Sequence, residues 1–315
     1  MNRKRVTVKS YAKINLSLDV LRRLENGFHE VEMVMQQILL HDDVSVKWEE
    51  SGNDFHIKLN TNRSYLPTDE RNLAYKAALL MKELYGSDKK GTVRIDIKKR
   101  IPVAAGMAGG SGNGAAVLHA LNLLWGLGLD VQALNEAGSR LGSDVPFCIM
   151  GQAKMNKILG LENDPLATHC AVGCGTGTDL EPIKGLKSHI ALSKPSIGVS
   201  TAEVYKGLRL DEIDLHPDTQ EMIEALKTDN REKICKNMIN LLENFTLREY
   251  SSVVCTKERM QEMLGESNVL MSGSGPTVFA LFENKENAEK CAEELGKICP
   301  NVFVATPVNH GAIIL

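Results

Sequence analysis

No run of about 18 apolar residues occurs in this 315-residue sequence, so no transmembrane helix is predicted. The basic start, Met1–Arg5, is followed by Val6–Ser10, which is too short and too polar for the core of a signal peptide. The net charge is −3, and no block of Lys and Arg interleaved with aromatic residues is present. We therefore expect neither a membrane nor a nucleic-acid partner, and the sequence leaves the oligomeric state open.

The cysteine pattern does not predict a disulfide framework. The seven cysteines are odd in number and scattered, which favours free thiols in a reducing cytoplasm. His169, Cys170 and Cys174 have partial ligand spacing but no second Cys/His pair, so no metal site is predicted. The chain length favours two domains, and a hydrophobic content of 43% is ordinary for a globular protein.

The most informative segment is the glycine-rich stretch Pro102–Gly112. It follows a strand-like run, Thr92–Ile97, and precedes a helical one, Ala115–Leu124. A glycine-rich turn into a helix suits an anion, because backbone N–H groups can approach phosphate oxygens closely and the helix dipole favours negative charge. The segment lacks the Gly-Lys-Ser/Thr of a Walker loop and the Gly-x-Gly-x-x-Gly of a dinucleotide fold. A plain strand-to-helix connection remains an alternative.

Strands and helices alternate without a strict βαβ order, which predicts an α+β fold in both halves. Strands are predicted at Arg5–Lys9, Ile14–Leu21, Glu30–Leu40, Val44–Glu49, His56–Leu59, Thr92–Ile97, Val145–Met150, His189–Lys194, Asn268–Met271, Thr277–Phe282 and Val302–Pro307. Helices are predicted at Asn72–Tyr85, Ala115–Leu124, Leu134–Leu141, Ser200–Leu208, Thr219–Lys227, Arg231–Glu243, Ser252–Leu264 and Lys285–Ile298. Residues 151–180 show no sustained hydrophobic periodicity, and we interpret them as a long surface excursion or an insertion.

Phosphoryl transfer needs more than a phosphate loop, and three further features could supply it. Lys13 is a charged residue in a largely apolar strand-like segment, and Asp144 is a lone carboxylate between a helix end and an apolar run. Met271–Thr277 is a second glycine-rich turn. Taken singly, each has a simpler interpretation. Lys13 would be a solvated strand residue, Asp144 a turn or capping residue, and Met271–Thr277 a hairpin. Together they favour a kinase, because one chain contains every part that the reaction requires.

Six segments in this order resemble a known family. They are Ala12–Leu16, Gly27–Glu30, Ile101–Ser111, Gly142–Phe147, Lys194–Thr201 and Met271–Phe279. The chain closely resembles the 4-diphosphocytidyl-2-C-methyl-D-erythritol kinases, within the superfamily of galactokinase, homoserine kinase, mevalonate kinase and phosphomevalonate kinase. The resemblance covers nearly the whole chain except roughly residues 152–174. The Gly-Phe-His, Gly-Ser-Asp-Val-Pro-Phe and Gly-Val-Ser-Thr segments are the most specific.

The resemblance implies a two-domain kinase that uses ATP with Mg²⁺. Residues 1–180 would form the ATP-binding domain, with 152–174 as an insertion or long loop, and 181–315 a ferredoxin-like domain on the substrate side. The reaction would phosphorylate the 2-hydroxyl of 4-diphosphocytidyl-2-C-methyl-D-erythritol, in non-mevalonate isoprenoid precursor synthesis. Two alternatives are a superfamily kinase for another alcohol and a divergent relative that binds a nucleotide with little or no catalysis.

The resemblance also implies roles for particular residues. Asp144 would accept the proton of the substrate hydroxyl, and Lys13 beside it would draw charge on the transferring phosphoryl group. Asn15 would contact substrate, His29 would hydrogen-bond the cytosine edge, and Phe28 and Tyr205 would sandwich the base. The residues implied to wrap the ATP phosphates are Pro102, Val103, Ala104, Ala105, Gly106, Met107, Ala108, Gly109, Gly110, Ser111 and Gly112.

Gly112 departs from the family, which usually has a second serine at this position. A serine here can help to hold Mg²⁺ in relatives, so direct ligation of the metal by the loop is not expected. We predict from the sequence that Gly112→Ser raises turnover or lowers the Mg²⁺ requirement. The competing prediction is that a side chain at this position would clash or strain the backbone.

Overall fold

The computed structural model describes residues 4–52, 54–265 and 268–307. Within these residues the chain forms ten strands and ten α-helices, a mixture that confirms the α+β class. The strands, β1 to β10, are Arg5–Arg23, His29–Glu50, Phe55–Thr61, Gly91–Lys98, Cys170–Cys174, Asp179–Pro182, His189–Ser193, Val269–Met271, Val278–Phe282 and Val302–Ala305. The helices, α1 to α10, are Leu73–Tyr85, Gly109–Trp125, Val131–Ser139, Val145–Met155, Thr201–Gly207, Thr219–Thr228, Arg231–Lys236, Glu243–Glu249, Ser251–Leu264 and Lys285–Gly296. No helix of this described part is long and apolar enough to cross a membrane.

The chain folds into two compact units, each built from segments that are distant in sequence. Unit 1 comprises Met1–Ala12, Leu40–Ile101 and Ala108–His169. Unit 2 comprises Lys13–Leu39, Pro102–Met107 and Cys170–Leu315. The predicted division into 1–180 and 181–315 follows chain order instead, and it remains a prediction about the domains.

Unit 1 combines a small sheet with four helices. The end of β2, Asp43–Glu50, pairs antiparallel with β4, and β4 pairs parallel with β3. In β4 every second residue is buried, namely Gly91, Val93, Ile95 and Ile97, so one face of this strand packs on the core. Helix α2 contacts α1 and α4 and is buried along most of its length. The strand and helix predicted on either side of the glycine-rich stretch are therefore confirmed as β4 and α2.

The apolar run Val145–Met150 is not a strand, and this prediction is wrong. It forms the first part of α4. Residues 145–153 are all buried, so the helix has no polar face and shows no 3.6-residue period. Pro146 does not break it, because proline is tolerated in the first turn, where its missing N–H would have no partner.

Much of the 151–180 segment also has regular structure. Helix α4 continues to Met155, and a short 3-10 helix follows at Lys157–Leu159. Further on, β5 and β6 pair antiparallel. The interpretation of this segment as one long surface excursion is wrong for these parts, whereas an insertion relative to the family remains a prediction.

The C-terminal part of unit 2 has the predicted ferredoxin-like order. Strands β10, β7, β9 and β8 lie side by side in that order and pair antiparallel. Helices α9 and α10 contact this sheet. Numbered along the domain, the strands therefore follow the order 4-1-3-2 of a β-α-β-β-α-β fold.

The helix predicted at Arg231–Glu243 ends early, at Lys236. The chain then pairs with β1, since the Leu18 N–H donates to Ile239 O at 2.9 Å and the Leu241 N–H donates to Leu18 O at 2.9 Å. These bonds use backbone groups that a continuous helix would need for itself, so a contact distant in sequence overrides the local helical pattern.

Candidate active site

The first half of the glycine-rich loop, residues 102–107, packs against the second glycine-rich turn within unit 2. Gly106 has φ +70°, and a Cβ added there would lie 2.1 Å from the backbone oxygen of Ser272. The Ser272 hydroxyl donates a hydrogen bond to Gly106 O at 3.0 Å. Only glycine meets both demands, a left-handed backbone and a close backbone approach. The two glycine-rich segments that sequence analysis singled out are therefore brought together.

The second half of the loop, from Ala108 to Gly112, begins helix α2 in unit 1. Ala108 is the N-cap residue, with φ +54°, and its own side chain makes no capping hydrogen bond. The first N–H groups of an α-helix have no partner within the helix. Together with the positive end of the helix dipole, they suit a phosphate group.

Two alanines of the loop adopt backbone conformations that L-residues rarely take. Ala104 has φ +49° and Ala108 has φ +54°. A residue with a Cβ pays of order 1–3 kcal/mol to remain in a sparsely populated region, and such residues cluster at ligand sites. The loop is thus held in a specific, strained shape.

Lys13 is buried, which rules out its interpretation as a solvated strand residue. It is 4% exposed, and its ammonium donates to Asn15 Oδ1 at 2.5 Å. Its backbone N–H donates to Met107 O at 3.2 Å, which ties β1 to the loop. Asn15 is itself fully buried and donates from Nδ2 to the Met33 sulfur at 3.3 Å. The amide of Asn15 therefore helps to fix where the Lys13 charge lies.

Asp144 is the N-cap residue of α4, but its side chain makes no capping hydrogen bond. Asp144 therefore lies in a turn, as one simple interpretation has it, but it does not act as a capping side chain. Asp144 is half-buried, and its backbone oxygen accepts from the Cys148 N–H at 3.2 Å. A pairing of Asp144 with Lys13 remains a prediction.

Among the substrate residues, the structure brings His29 and Tyr205 together. Their ring centroids are 5.1 Å apart, with an angle of 33° between the planes. The Phe28 ring is 60% exposed, so it is not part of the core, and this exposure suits a ring that stacks on a bound base. Partial burial and the nearby Arg23 lower the pKa of His29 below its usual 6.5. The imidazole is therefore neutral at pH 7, with one donor and one acceptor to offer. The sandwich of a base between Phe28 and Tyr205 remains a prediction.

Sequence analysis missed Asn240, which shapes the second glycine-rich turn. It is 2% exposed, and its Nδ2 donates to Met271 O at 2.7 Å and Gly273 O at 2.8 Å. The Thr246 hydroxyl also donates a hydrogen bond to Ser274 O in this turn, at 3.2 Å. No local signal pointed to Asn240, because it lay inside a stretch that reads as a helix, some thirty residues from its partners.

The structure changes the interpretation of Gly112. A Cβ there would lie 2.5 Å from the hydroxyl oxygen of Ser10, and Ser10 is fully buried. Gly112 is buried within α2 and its carbonyl accepts from Gln152 Nε2 at 2.8 Å. The missing side chain therefore points at β1 inside unit 1 and not at open space. The interpretation as a lost metal ligand is not supported by this geometry, nor is a positive φ the reason for glycine here.

We now expect Gly112→Ser to lower the melting temperature and not to raise turnover, because the new side chain meets the Ser10 hydroxyl. Overpacking of this kind typically costs about 1–3 kcal/mol. The double variant Ser10→Ala/Gly112→Ser removes the clash and should recover most of the lost stability. Melting curves and magnesium titrations of the three proteins test this, and a faster or less Mg²⁺-dependent single variant would contradict it.

Two further observations concern metals and thiols. In the parts of the chain that the structure describes, no group of three or more His, Cys, Asp or Glu side chains could hold a metal ion. All seven cysteines are free thiols.

Two family models and many curated relatives match the sequence of this chain. The family model "GHMP kinases N terminal domain" matches residues 72–152, and "GHMP kinases C terminal" matches residues 222–301. The chain is 43% identical over 293 residues to the 4-diphosphocytidyl-2-C-methyl-D-erythritol kinase of Alkaliphilus metalliredigens, covering 93% of each protein. It is 44% identical over 311 residues to the enzyme of that name from Bacillus licheniformis, covering 97% of this chain and 98% of the relative.

Solved structures agree with the sequence relatives. A crystal structure of 4-(cytidine 5'-diphospho)-2C-methyl-D-erythritol kinase matches with a TM-score of 0.75 at 30% identity, covering 97% of this chain and all of the other. Homoserine kinase from Cytophaga hutchinsonii matches with a TM-score of 0.70 at 18% identity, over 98% of this chain and 96% of the other, which shows a shared fold alone. The chain therefore belongs to the 4-diphosphocytidyl-2-C-methyl-D-erythritol kinase family of the GHMP kinases.

Proposed function

We propose that this protein transfers the γ-phosphoryl group of ATP to the 2-hydroxyl of 4-diphosphocytidyl-2-C-methyl-D-erythritol, a step of non-mevalonate isoprenoid precursor synthesis. The observation that carries the proposal is an identity of 43–44% over nearly the full length of relatives that bear this enzyme name. The loop geometry supports this proposal. The N-cap residue of α2 makes no side-chain cap bond, and the loop before it contains a glycine that no larger residue could replace, so backbone N–H groups can face the phosphates of ATP.

In the proposed reaction the substrate oxygen forms a bond to the γ-phosphorus as the bond to the ADP oxygen breaks. Asp144 takes the proton that the hydroxyl loses. The Lys13 ammonium, oriented by Asn15, offsets the charge on the transferring group. Residues 102–112 wrap the phosphates, which accept hydrogen bonds from backbone N–H groups of this loop.

The cytosine of the substrate is proposed to be recognised in unit 2. A neutral His29 can offer a donor and an acceptor to the base edge. Phe28 and Tyr205 would hold the base by stacking, and the exposure of Phe28 leaves one aromatic face available. Asn15 would contact the substrate near the reacting hydroxyl.

Mg²⁺ is proposed to accompany ATP as the counter-ion of its phosphates, where it supplies positive charge to the reaction. This ion keeps several waters and needs few protein ligands, so the ATP phosphates and water can hold most of its coordination shell. We also propose a cytoplasmic location, because seven free thiols suit a reducing compartment.

The decisive test measures ADP release with and without the cytidyl alcohol, and identifies the product by phosphorus NMR. We expect substrate-dependent ADP release and a new phosphate ester at the 2-position. If the protein phosphorylates another alcohol but not this one, the proposed substrate is wrong and the protein is a kinase for that other alcohol. ATP binding without transfer to any acceptor would favour a nucleotide-binding protein.

Tyr205→Ala should weaken binding of the cytidyl substrate by about 1–3 kcal/mol, the usual worth of a base–aromatic stack. The KM for ATP should hardly change. Tyr205→Phe is the matched control, because it keeps the ring and should keep most of the affinity. Steady-state kinetics in both substrates decide the matter, and an equal loss for ATP and for the cytidyl alcohol would assign Tyr205 a structural role instead.

A further inference from the structure

A buried carboxylate, that of Asp42, collects four hydrogen bonds near the glycine-rich loop. Asp42 is fully buried. Its Oδ1 accepts from the backbone N–H groups of Arg100 at 2.6 Å and Ile101 at 2.8 Å. Its Oδ2 accepts from the Lys99 ammonium and from Asn113 Nδ2, the latter at 2.9 Å. Lys99 and Asn113 are each only 4% exposed, so the cluster is sealed from water.

The four donors flank the phosphate loop on both sides. Residues 99–101 directly precede Pro102, and Asn113 directly follows Gly112 in the first turns of α2. One carboxylate thus fixes the residues that enter the loop and the residues that leave it. All of these groups lie in unit 1.

The Lys99 side chain also lies close to the first residue of α2, Gly109. A Cβ added to Gly109 would lie 2.7 Å from Lys99 Nζ and 3.0 Å from Ile101 Cγ2. The close approach of a cation to the first residue of the helix therefore depends on glycine. Burial lowers the pKa of Lys99, and the attraction of Asp42 opposes that shift.

A buried ion pair is a poor device for stability alone, because the desolvation of two charges offsets much of their attraction. Its value lies in geometry, since charge-assisted hydrogen bonds are short and directional. We propose that Asp42 is a positioning residue for ATP, whose carboxylate holds the two flanks of the phosphate loop at the separation that phosphate binding needs. This inference rests on the proposed function only in that the loop binds ATP.

The test is the dissociation constant of MgATP, measured by titration calorimetry so that no turnover is required. Asp42→Asn replaces Oδ2 with an amide NH2 that faces two donors, the Lys99 ammonium and Asn113 Nδ2, and so breaks both bonds. We expect MgATP to bind about tenfold more weakly, as for the loss of a charge-assisted hydrogen bond. The affinity for the cytidyl alcohol should change less than twofold. Asn113→Ala is a milder change that removes the bond to Asp42, together with a long bond of 3.4 Å to Ser10 Oγ, and it should weaken MgATP binding in the same direction.

A double-mutant cycle and a control exclude a general loss of stability. Asp42→Asn/Asn113→Ala should bind MgATP no more weakly than Asp42→Asn, because both changes break the same link. Val46→Ala, a buried substitution further along β2, should lower the melting temperature and leave MgATP affinity intact.

If Asp42→Asn does not fold, the MgATP affinity of Asn113→Ala alone tests the inference. Unchanged MgATP affinity in a folded Asp42→Asn or Asn113→Ala variant, additive effects in the cycle, or equal weakening by Val46→Ala would each overturn the inference. A wild-type protein that binds MgATP but does not phosphorylate the cytidyl alcohol would refute the proposed function and leave this inference standing.

Discussion

Asp144→Asn should lower turnover by about 10²–10⁴-fold, the usual cost of losing a general base. The amide keeps the size and shape of the side chain but cannot take the proton of the substrate hydroxyl. Asp144 makes no cap bond to α4, so the substitution removes no capping interaction that the helix needs. The melting temperature and the affinity for MgATP should therefore stay close to those of the wild type.

The chain offers a matched control for this experiment. Asp130 is the N-cap residue of another helix, α3, and its Oδ1 accepts from the Ala133 N–H at 2.8 Å. Asparagine is an equally good N-cap residue, so Asp130→Asn should change neither turnover nor stability appreciably. Single-turnover rates with saturating ATP and cytidyl alcohol compare the two variants. Near wild-type rates for Asp144→Asn would show that another group takes the proton.

Gly106→Ala should disrupt the glycine-rich loop more than any other single-methyl change within it. The added Cβ would lie 2.1 Å from the Ser272 backbone oxygen, and φ is +70° at this residue. Because the nearest atoms all belong to the backbone of Ser272 and Gly275, no side-chain rotation can relieve the clash. We expect the substitution to cost at least about 2 kcal/mol of stability, since strain and overpacking both contribute. Affinity for MgATP should fall by more than about tenfold as the loop is displaced.

Gly110→Ala is the control for this prediction. It lies in the same loop, but an added Cβ meets only Leu73 Cδ1 at 3.7 Å, which is ordinary contact. Alanine also has a higher helix propensity than glycine, by up to about 1 kcal/mol. Thermal melts of the two variants should therefore differ sharply, because only Gly106→Ala introduces a clash. A Gly106→Ala protein that melts and binds like the wild type would show that the loop and the second turn are not in tight contact in solution.

Local sequence patterns were sufficient for the elements around the loop. The alternation Val93, Ile95, Ile97 predicted β4, and the apolar run after Asn113 predicted α2. Both patterns depend on neighbours within one element, so they can be recognised without the fold. The bounds were less accurate, because α2 already begins at Gly109, among residues with low helix propensity. The backbone there is held by tertiary bonds that the sequence does not display.

The errors share one cause, which is contact with residues that are distant in sequence. Helix α4 has no polar face, so its sequence resembles that of a buried strand. The stretch Arg231–Glu243 has a continuous helical pattern, yet β1 pairs with residues 239–241 and interrupts it. In both cases contacts with distant residues decided the conformation.

The sequence by itself determined the family, and it predicts the position of the phosphate loop and the residues for phosphoryl transfer. These depend on short segments whose chemistry is local: glycines that bare the backbone, a lysine, an aspartate and two aromatic rings. Only the tertiary structure decided that Asn240 supports the second glycine-rich turn, that Gly112 faces Ser10, and that Asp42 joins both flanks of the loop. These partners are separated by 31 to about 100 residues in the chain, and a hydrogen bond or a clash between them exists only once folding has brought them within a few ångströms.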